Sequence, residues 1–255
     1  MKTKPTLSLI LPAYNEAKSI GATIDQIQGY LNDRGIDYEL IVSADGDDGT
    51  REQVRARGDA RIHVVGEPQR RGKGRGIRDG VAISRGEYIG FVDADNKTPI
   101  AEFDKMLPLL EKGWEVIVGS RATAGARIET PQPFYRRLGS RGFALIMHML
   151  LGMWSIKDTQ CGFKFFQGKV ARDLFRRQKI DGYIFDVEIL YLARKAGYKM
   201  VEVGVRWRDD GDSRLKLVSG NWRNLKDLFR IRFGKKDLAR SVEEAPAVEE
   251  LRRAA

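Results

Sequence analysis

Asp93 and Asp95 are carboxylates one residue apart at the end of the apolar run Tyr88, Ile89, Phe91 and Val92. A strand burying that run must surface where it ends, and its two-residue alternation would put both acids on one side. Two hard oxygen donors converging there suit Mg²⁺ or Mn²⁺, which would in turn bind a diphosphate. An ordinary strand end with two solvated acids has the same spacing, so the motif needs company. It has some. Asn15 and Glu16 follow the run 7–11, and Asp45 and Asp47 follow the run 39–42. Arg71-Gly72-Lys73-Gly74-Arg75 offers backbone N–H groups and cations to anionic oxygens ahead of a helical pattern. It lacks the G-x-x-x-x-G-K-[ST] pattern of a P-loop, and a basic surface turn has the same composition.

Strands are expected at 7–11 (stopped by Pro12), 39–42, 62–65, 88–92 and 115–118. Between them lie helical patterns: one opened by Asn15-Glu16 with Ile20, Ile24, Ile27 and Leu31, then 51–57, 77–84 and 100–112, with 70–76 as a loop. This alternation implies right-handed β-α-β units and an α/β fold with a doubly wound, mostly parallel sheet. Ligands bind such sheets at the carboxyl ends of the strands, where these acids cluster. Beyond Gly119 the alternation fades. Residues 143–154 form a strongly apolar helix preceded by Arg136, Arg137 and Arg141, suited either to the core or to a membrane surface. Trp222, Leu225, Phe229 and Phe233 recur at helical spacing in a basic segment, which leaves the same two options.

With 255 residues, 42% of them hydrophobic, the chain can bury the core of one large domain. The net charge of +10 calls for an anionic partner: nucleic acid, nucleotide, phospholipid or phosphorylated substrate. No DNA- or RNA-binding motif is present, and the acids gather at the ligand end, which argues against nucleic acid. One cysteine, Cys161, excludes an internal disulfide, and neither His63 nor His148 sits in a polar motif. No secretory signal and no run of about 18 apolar residues is seen. A cytoplasmic chain, peripherally bound to the cytoplasmic face of a membrane, is therefore expected.

Taken together, these pieces resemble the family-2 inverting glycosyltransferases of the GT-A fold, and more narrowly the dolichyl-phosphate sugar synthases. The marks are Pro12-Ala13-Tyr14-Asn15-Glu16, the acidic 45–50 loop, Gly72-Lys73-Gly74, Asp93-Ala94-Asp95, Gly119-Ser120-Arg121, Asp158-Thr159-Gln160-Cys161-Gly162-Phe163-Lys164 and Phe185-Asp186-Val187-Glu188. The form of the sixth mark is similar to the glucosyl-transferring branch. The resemblance runs from Leu7 to about Leu217 and implies a GT-A domain over 1–218; beyond it, pattern and composition suggest a basic amphipathic membrane-surface helix over 219–240 and a disordered tail over 241–255.

It also implies roles. Pro12, Tyr14, Asn15 and Glu16 would line a nucleotide pocket, with Asp45 or Asp47 accepting from the base. The family's D-D-G-S-x-D-G-T is here Ser43-Ala44-Asp45-Gly46-Asp47-Asp48-Gly49-Thr50, with either two acids missing or the loop one residue short. Lys73 and Arg214 would meet the donor phosphates, and Asp93 and Asp95 would hold the metal. Lys97 stands where some relatives place a further metal ligand. Arg121, Arg136, Arg137, Ser140 and Ser213 would meet an acceptor phosphate. Asp158, Gln160, Asp186 and Glu188 would surround the sugar or metal, although Asp186 and Glu188 diverge if helical. The implied reaction is inverting transfer of a hexose, UDP-glucose favoured, to a polyprenyl or dolichyl phosphate. A GDP-mannose donor, a soluble acceptor, or an inactive nucleotide-sugar-binding relative are the alternatives, and the oligomeric state stays open.

Overall fold

The computed structural model describes residues 4–130, 134–208 and 219–234, with side chains outside 134–141 and 219–222. Successive residues of the apolar runs face opposite sides of one sheet. In β1 (Leu7–Tyr14), Leu7, Leu9 and Leu11 enter one hydrophobic layer and Ile10 the other. In β2 (Tyr38–Asp45), Leu40 and Val42 part from Ile41 in the same way. Strands covered on both faces need no polar alternation, which is why these segments are continuously apolar. With β3 (Ile62–Val65), β4 (Tyr88–Val92), β5 (Val116–Ser120), β7 (Phe163–Gln167) and β8 (Met200–Gly204) they form a seven-stranded sheet in the order β3-β2-β1-β4-β7-β5-β8. The pairings are parallel except where β7 runs antiparallel between β4 and β5. A separate parallel pair joins β6 (Arg127–Thr130) to β9 (Arg206–Arg208).

One layer packs α1 (Ile20–Asp33), α2 (Thr50–Arg55) and α4 (Leu107–Glu111) on the sheet. The other packs α3 (Lys73–Ile83), α5 (Phe134–Leu151), α6 (Gly168–Arg177), α7 (Phe185–Lys195) and α8 (Ser219–Phe233). The chain leaves β1 for β2 on one side and comes back to β4 on the other. That reversal opens a crevice at the carboxyl ends of β1 and β4, the expected place for a ligand.

Three local expectations are corrected. Pro12 does not stop β1, which continues to Tyr14 with Pro12 opposite Ser43. β4 pairs only as far as Ile10, so no neighbour on that side asks Pro12 for an N–H. The expected helix 100–112 is broken into a 3₁₀ turn, Ile100–Lys105, and α4, which starts just before Pro108. Proline fits a first turn but not a helix interior. The expected loop 70–76 is already helical from Lys73, because Gly74 and Gly76 there serve close packing.

A Cβ on Gly74 would lie 2.5 Å from Phe185 Cβ and 2.6 Å from the Ile180 carbonyl, whereas one on Gly29 in α1 meets nothing within 4 Å. Gly74→Ala should therefore lower unfolding free energy by about 1–3 kcal/mol. Gly29→Ala should raise it by up to about 1 kcal/mol. Urea denaturation of the two variants measures both, and equal effects would discredit the packing at α3.

Candidate active site

β4 ends at Val92, so a tight turn, not strand alternation, carries the two acids. The Asp93 N–H donates to the Gly162 carbonyl at 3.1 Å, the Asn96 N–H to the Asp93 carbonyl at 3.2 Å, and Thr23 to the Ala94 carbonyl at 2.8 Å. Asn96 turns the chain at φ +53°, a left-handed conformation asparagine tolerates. The Asp93 carboxylate lies where a side chain on residue 162 would begin: a Cβ there would meet its oxygens at 2.1 and 2.5 Å. Glycine at 162 thus makes room for the acid.

Each acid meets a lysine. Lys73, the first residue of α3, sets its Nζ 2.5 Å from Asp93 Oδ1 and 5.5 Å from the centre of the Tyr183 ring. Burial opposes its charge, but Asp93, Tyr183 and Asp186 outweigh burial and raise its pKa. Lys97 places its Nζ 3.1 Å from Asp95 Oδ2 and donates its N–H to Asp95 Oδ1 at 3.3 Å. Burial, and then Asp93, pushes the Asp95 carboxyl up against the pull of Lys97. Deeper in, the fully buried Lys164 donates to the Cys161 carbonyl at 2.5 Å and to Asp186 at 3.3 Å. Burial also raises Asp186, while Lys164 and Lys73 oppose it.

Among the described residues no cluster of three His, Cys, Asp or Glu is placed to hold a metal. The Asp93/Asp95 pair nevertheless fits a divalent ion. Its donors are hard oxygens, and both the burial that mainly raises Asp95 and its repulsion from Asp93 are offset by an added positive charge. Water and diphosphate oxygens can complete such a shell, as Mg²⁺ commonly requires.

On the nucleotide side, Tyr14 ends β1 with the Arg70 guanidinium 4.5 Å over its ring. Asp45 ends β2, is buried, and accepts from the N–H groups of Glu67 (3.2 Å) and Arg71 (2.8 Å) and from the Arg71 guanidinium at 3.2 and 3.3 Å. Ser43 and Ala44 lie inside β2, buried opposite Pro12 and Ala13, so Asp45 is the first acid the loop can present. Asp47 is exposed. Asn15 adopts φ +54°, and its buried Oδ1, packed on Gly46, has no hydrogen-bond partner in the protein. Glu16 takes the Ser19 hydroxyl at 2.7 Å and donates its N–H to Thr50 Oγ1 at 3.0 Å. Asp48, which sequence reasoning passed over, ties the loops together through the Ala17 N–H (2.9 Å) and Thr50.

The acceptor side departs from expectation. Arg121 forks onto Asp158 at 2.7 and 2.9 Å, adds its N–H at 2.9 Å, and rests 5.4 Å from the Trp207 ring. In this state its guanidinium is committed to Asp158 instead of standing ready for a phosphate. Asp158 is equally committed, accepting also from the Gln160 N–H at 3.2 Å and donating its own N–H to Glu202 at 2.8 Å. Glu188 is a correction: it turns away from Asp93 and caps the N–H groups of Lys179 and Ile180 at 3.0 and 2.8 Å. Residues two apart on α7 cannot share a face, so Asp186 alone points at Lys164. Tyr183, also missed, was signalled only by an aromatic beside Gly182, three residues before Asp186. Arg136, Arg137 and Ser140 lie on α5, with side chains outside the described residues; Ser213, Arg214 and the 241–255 tail are outside them entirely.

α5 and α8 each carry two apolar stripes. Met147 and Leu151, and on α8 Leu228 and Ile231, join the core. Leu145 and Met149 on the opposite face of α5, and Phe229 and Phe233 on α8, stay exposed, Met149 at 62% and Phe233 at 70%. Of the stripe expected on α8, Leu225 is half-buried, and the Trp222 side chain lies outside the described residues.

The model of the Glycosyl transferase family 2 matches residues 8–175, and the chain belongs to that family. It is 38% identical over 242 residues to a dolichyl-phosphate beta-glucosyltransferase of Trichomonas vaginalis, covering 88% of this chain and 70% of that one. The enzymes of the same description from Dictyostelium discoideum and Homo sapiens are 34% and 32% identical, each match covering 89% of this chain and 74% of the relative. Among solved structures, glucosyl-3-phosphoglycerate synthase from Mycobacterium tuberculosis, in complex with Mn²⁺, UDP and phosphoglyceric acid, superposes with a TM-score of 0.66 at 24% identity, covering 91% of this chain and 80% of that one. A mannosyltransferase from Pyrobaculum calidifontis with GDP-Man and Mn²⁺ gives 0.61 at 21%, covering 92% and 67%. The fold is thus the GT-A arrangement, and the chain is a glycosyltransferase.

Burial would raise the Asp158 carboxyl, but Arg121 outweighs it and holds it below 3.8. A depressed folded value contributes stability that is present above pH 3.8 and lost as pH falls through the folded value. Asp158→Asn should cost about 3–5 kcal/mol at neutral pH, since it leaves Arg121 without its counter-charge. The variant should also lose less stability than the parent on acidification. Denaturation midpoints across pH test this, and identical pH profiles would refute it.

Proposed function

We propose that this chain transfers glucose from UDP-glucose to a dolichyl or other polyprenyl phosphate, with inversion at the anomeric carbon. The observation that carries the reading is the joining of two features in one molecule. Asp93, Asp95 and Lys73 form a diphosphate-ready cluster at the strand crevice, and exposed apolar stripes run along α5 and α8. The similarity to dolichyl-phosphate beta-glucosyltransferases supplies the acceptor class.

The Tyr14 ring with Arg70 suits a base, and Asp45 Oδ2, which takes the Arg71 N–H, has capacity for a uracil N–H. Mg²⁺ or Mn²⁺ held by Asp93 and Asp95 would neutralise the departing diphosphate. Lys73, at the start of α3, stabilises the same developing charge with its ammonium and the helix N-terminus. An oxygen lone pair of the lipid phosphate forms the bond to the anomeric carbon. The bond from that carbon to UDP breaks, and its electron pair leaves with UDP. A phosphate is already anionic at neutral pH, so no side chain has to take its proton. Asp186, adjoining Lys73 and Lys164, would favour the positive charge that develops on the sugar.

No helix of the described residues is long and apolar enough to cross a membrane. In this reading Leu145, Met149, Phe229 and Phe233 enter the bilayer surface, and the basic residues Arg223, Lys226, Arg230 and Arg232 of α8 meet anionic headgroups on the cytoplasmic face.

Label from UDP-[¹⁴C]glucose should move to dolichyl phosphate in the presence of Mn²⁺ or Mg²⁺, while GDP-[¹⁴C]mannose should give none. Transfer from the mannose donor, or only to a soluble phosphorylated acceptor, would overturn the substrate assignment. Asp95→Ala should lower turnover by at least about 10²-fold, the scale of losing a key electrostatic group. A Phe229→Ser/Phe233→Ser variant should sediment less with anionic liposomes and bind UDP as before. Unchanged sedimentation would remove α8 from the membrane contact.

A further inference from the structure

We propose that Lys97 is a resident cation of the Asp93-Asp95 turn: it occupies Asp95 until the donor arrives, then transfers its ammonium to the donor diphosphate. The inference rests on the metal-and-diphosphate reading of that turn given above. Lys97 grips Asp95 twice, by its N–H on Oδ1 at 3.3 Å and by its Nζ on Oδ2 at 3.1 Å. Its side chain is only 15% exposed, little for a lysine stem at a loop, while Asp95 is 38% exposed and open to an incoming ion. The backbone is fixed on both sides. The left-handed Asn96 precedes it, and the Lys97 carbonyl accepts the Arg208 N–H from β9 at 3.1 Å. The amine can therefore move only by rotating its own stem.

A divalent ion held by Asp95 would compete with that ammonium, because two cations beside one carboxylate repel each other. The displaced amine is tethered beside the site and needs an anion there. A nucleoside diphosphate is the anion that the reaction brings. Lys97 consequently makes metal binding and nucleotide binding support one another: it opposes the ion alone and favours ion and diphosphate together. Coupling of this kind is reciprocal and of the usual size for linked sites, about tenfold.

The test is Mn²⁺ binding to the full chain, read from the electron paramagnetic resonance of free Mn²⁺, with and without UDP. It compares the parent, Lys97→Gln, Lys97→Arg and Asp95→Asn, with melting temperature recorded for each. Lys97→Gln should bind Mn²⁺ alone about tenfold more tightly and, with Mn²⁺ present, bind UDP about tenfold more weakly. Lys97→Arg should keep the parent's direction in both. Changes in opposite directions are what a merely structural lysine would not produce. If Lys97→Gln leaves Mn²⁺ affinity unchanged, or weakens both ligands together, while Asp95→Asn abolishes Mn²⁺ binding, the role of Lys97 is overturned and the metal reading stands. If the parent binds no Mn²⁺ even with UDP, both fall.

Discussion

Carboxylates partly or wholly withdrawn from water around one end of the sheet must meet positive charge, and that constraint organises this molecule. Asp93 has Lys73, Asp95 has Lys97, Asp186 has Lys164, and Asp158 has Arg121. Lys97 shares the turn of Asp95, but the other three partners arrive on different elements and tie them together: α3 to the turn after β4, β7 to α7, and β5 to the segment before β7. Losing one member of such a pair leaves the other charged in a poor solvent, which costs more than the pair contributes when intact. The close-packed glycines serve the same end. Gly162 leaves room for the Asp93 carboxylate, and Gly74 lets α3 approach the stretch that runs into α7, so that Lys73 reaches the acids.

The same arrangement suits a reaction in which a diphosphate leaves. In the proposed reading an incoming metal would meet Asp93 and Asp95, and an incoming diphosphate would meet the lysines beside them. Lys73 on Asp93 and Lys97 on Asp95 leave both acids paired, and under the proposal a substrate would enter by exchanging partners with them. Under the proposed function, the exposed stripes of α5 and α8 would answer a separate need. A lipid-borne phosphate stays at its membrane, and an enzyme that meets it there needs apolar surface outside its core.

Much of this was legible in the chain. Buried strands announced themselves as apolar runs, and the acids after 11, 42 and 92 fell at one end of the sheet, as parallel topology requires. Local rules failed where a long-range partner intervened. Pro12 looked like a strand stop, yet β4 is too short to need its N–H. Gly74 and Gly76 looked like loop residues, yet they are helical where other segments press on them. The core option for α8 holds, since Leu228 and Ile231 face inward, while the outward Phe229 and Phe233 form the face that the proposed membrane contact would use.

The sequence alone determined the fold class and the end of the sheet where the acids gather. Those follow from periodicity and spacing, which are properties of neighbours along the chain. Only the tertiary structure decided which charged groups are paired: Arg121 with Asp158 across 37 residues, Lys164 with Asp186 across 22, Lys73 with Asp93 across 20. It also separated Asp186, which faces Lys164, from Glu188, which caps a loop. A carboxylate's role depends on the charge it meets and on how much water remains around it, and both are set by segments remote in sequence.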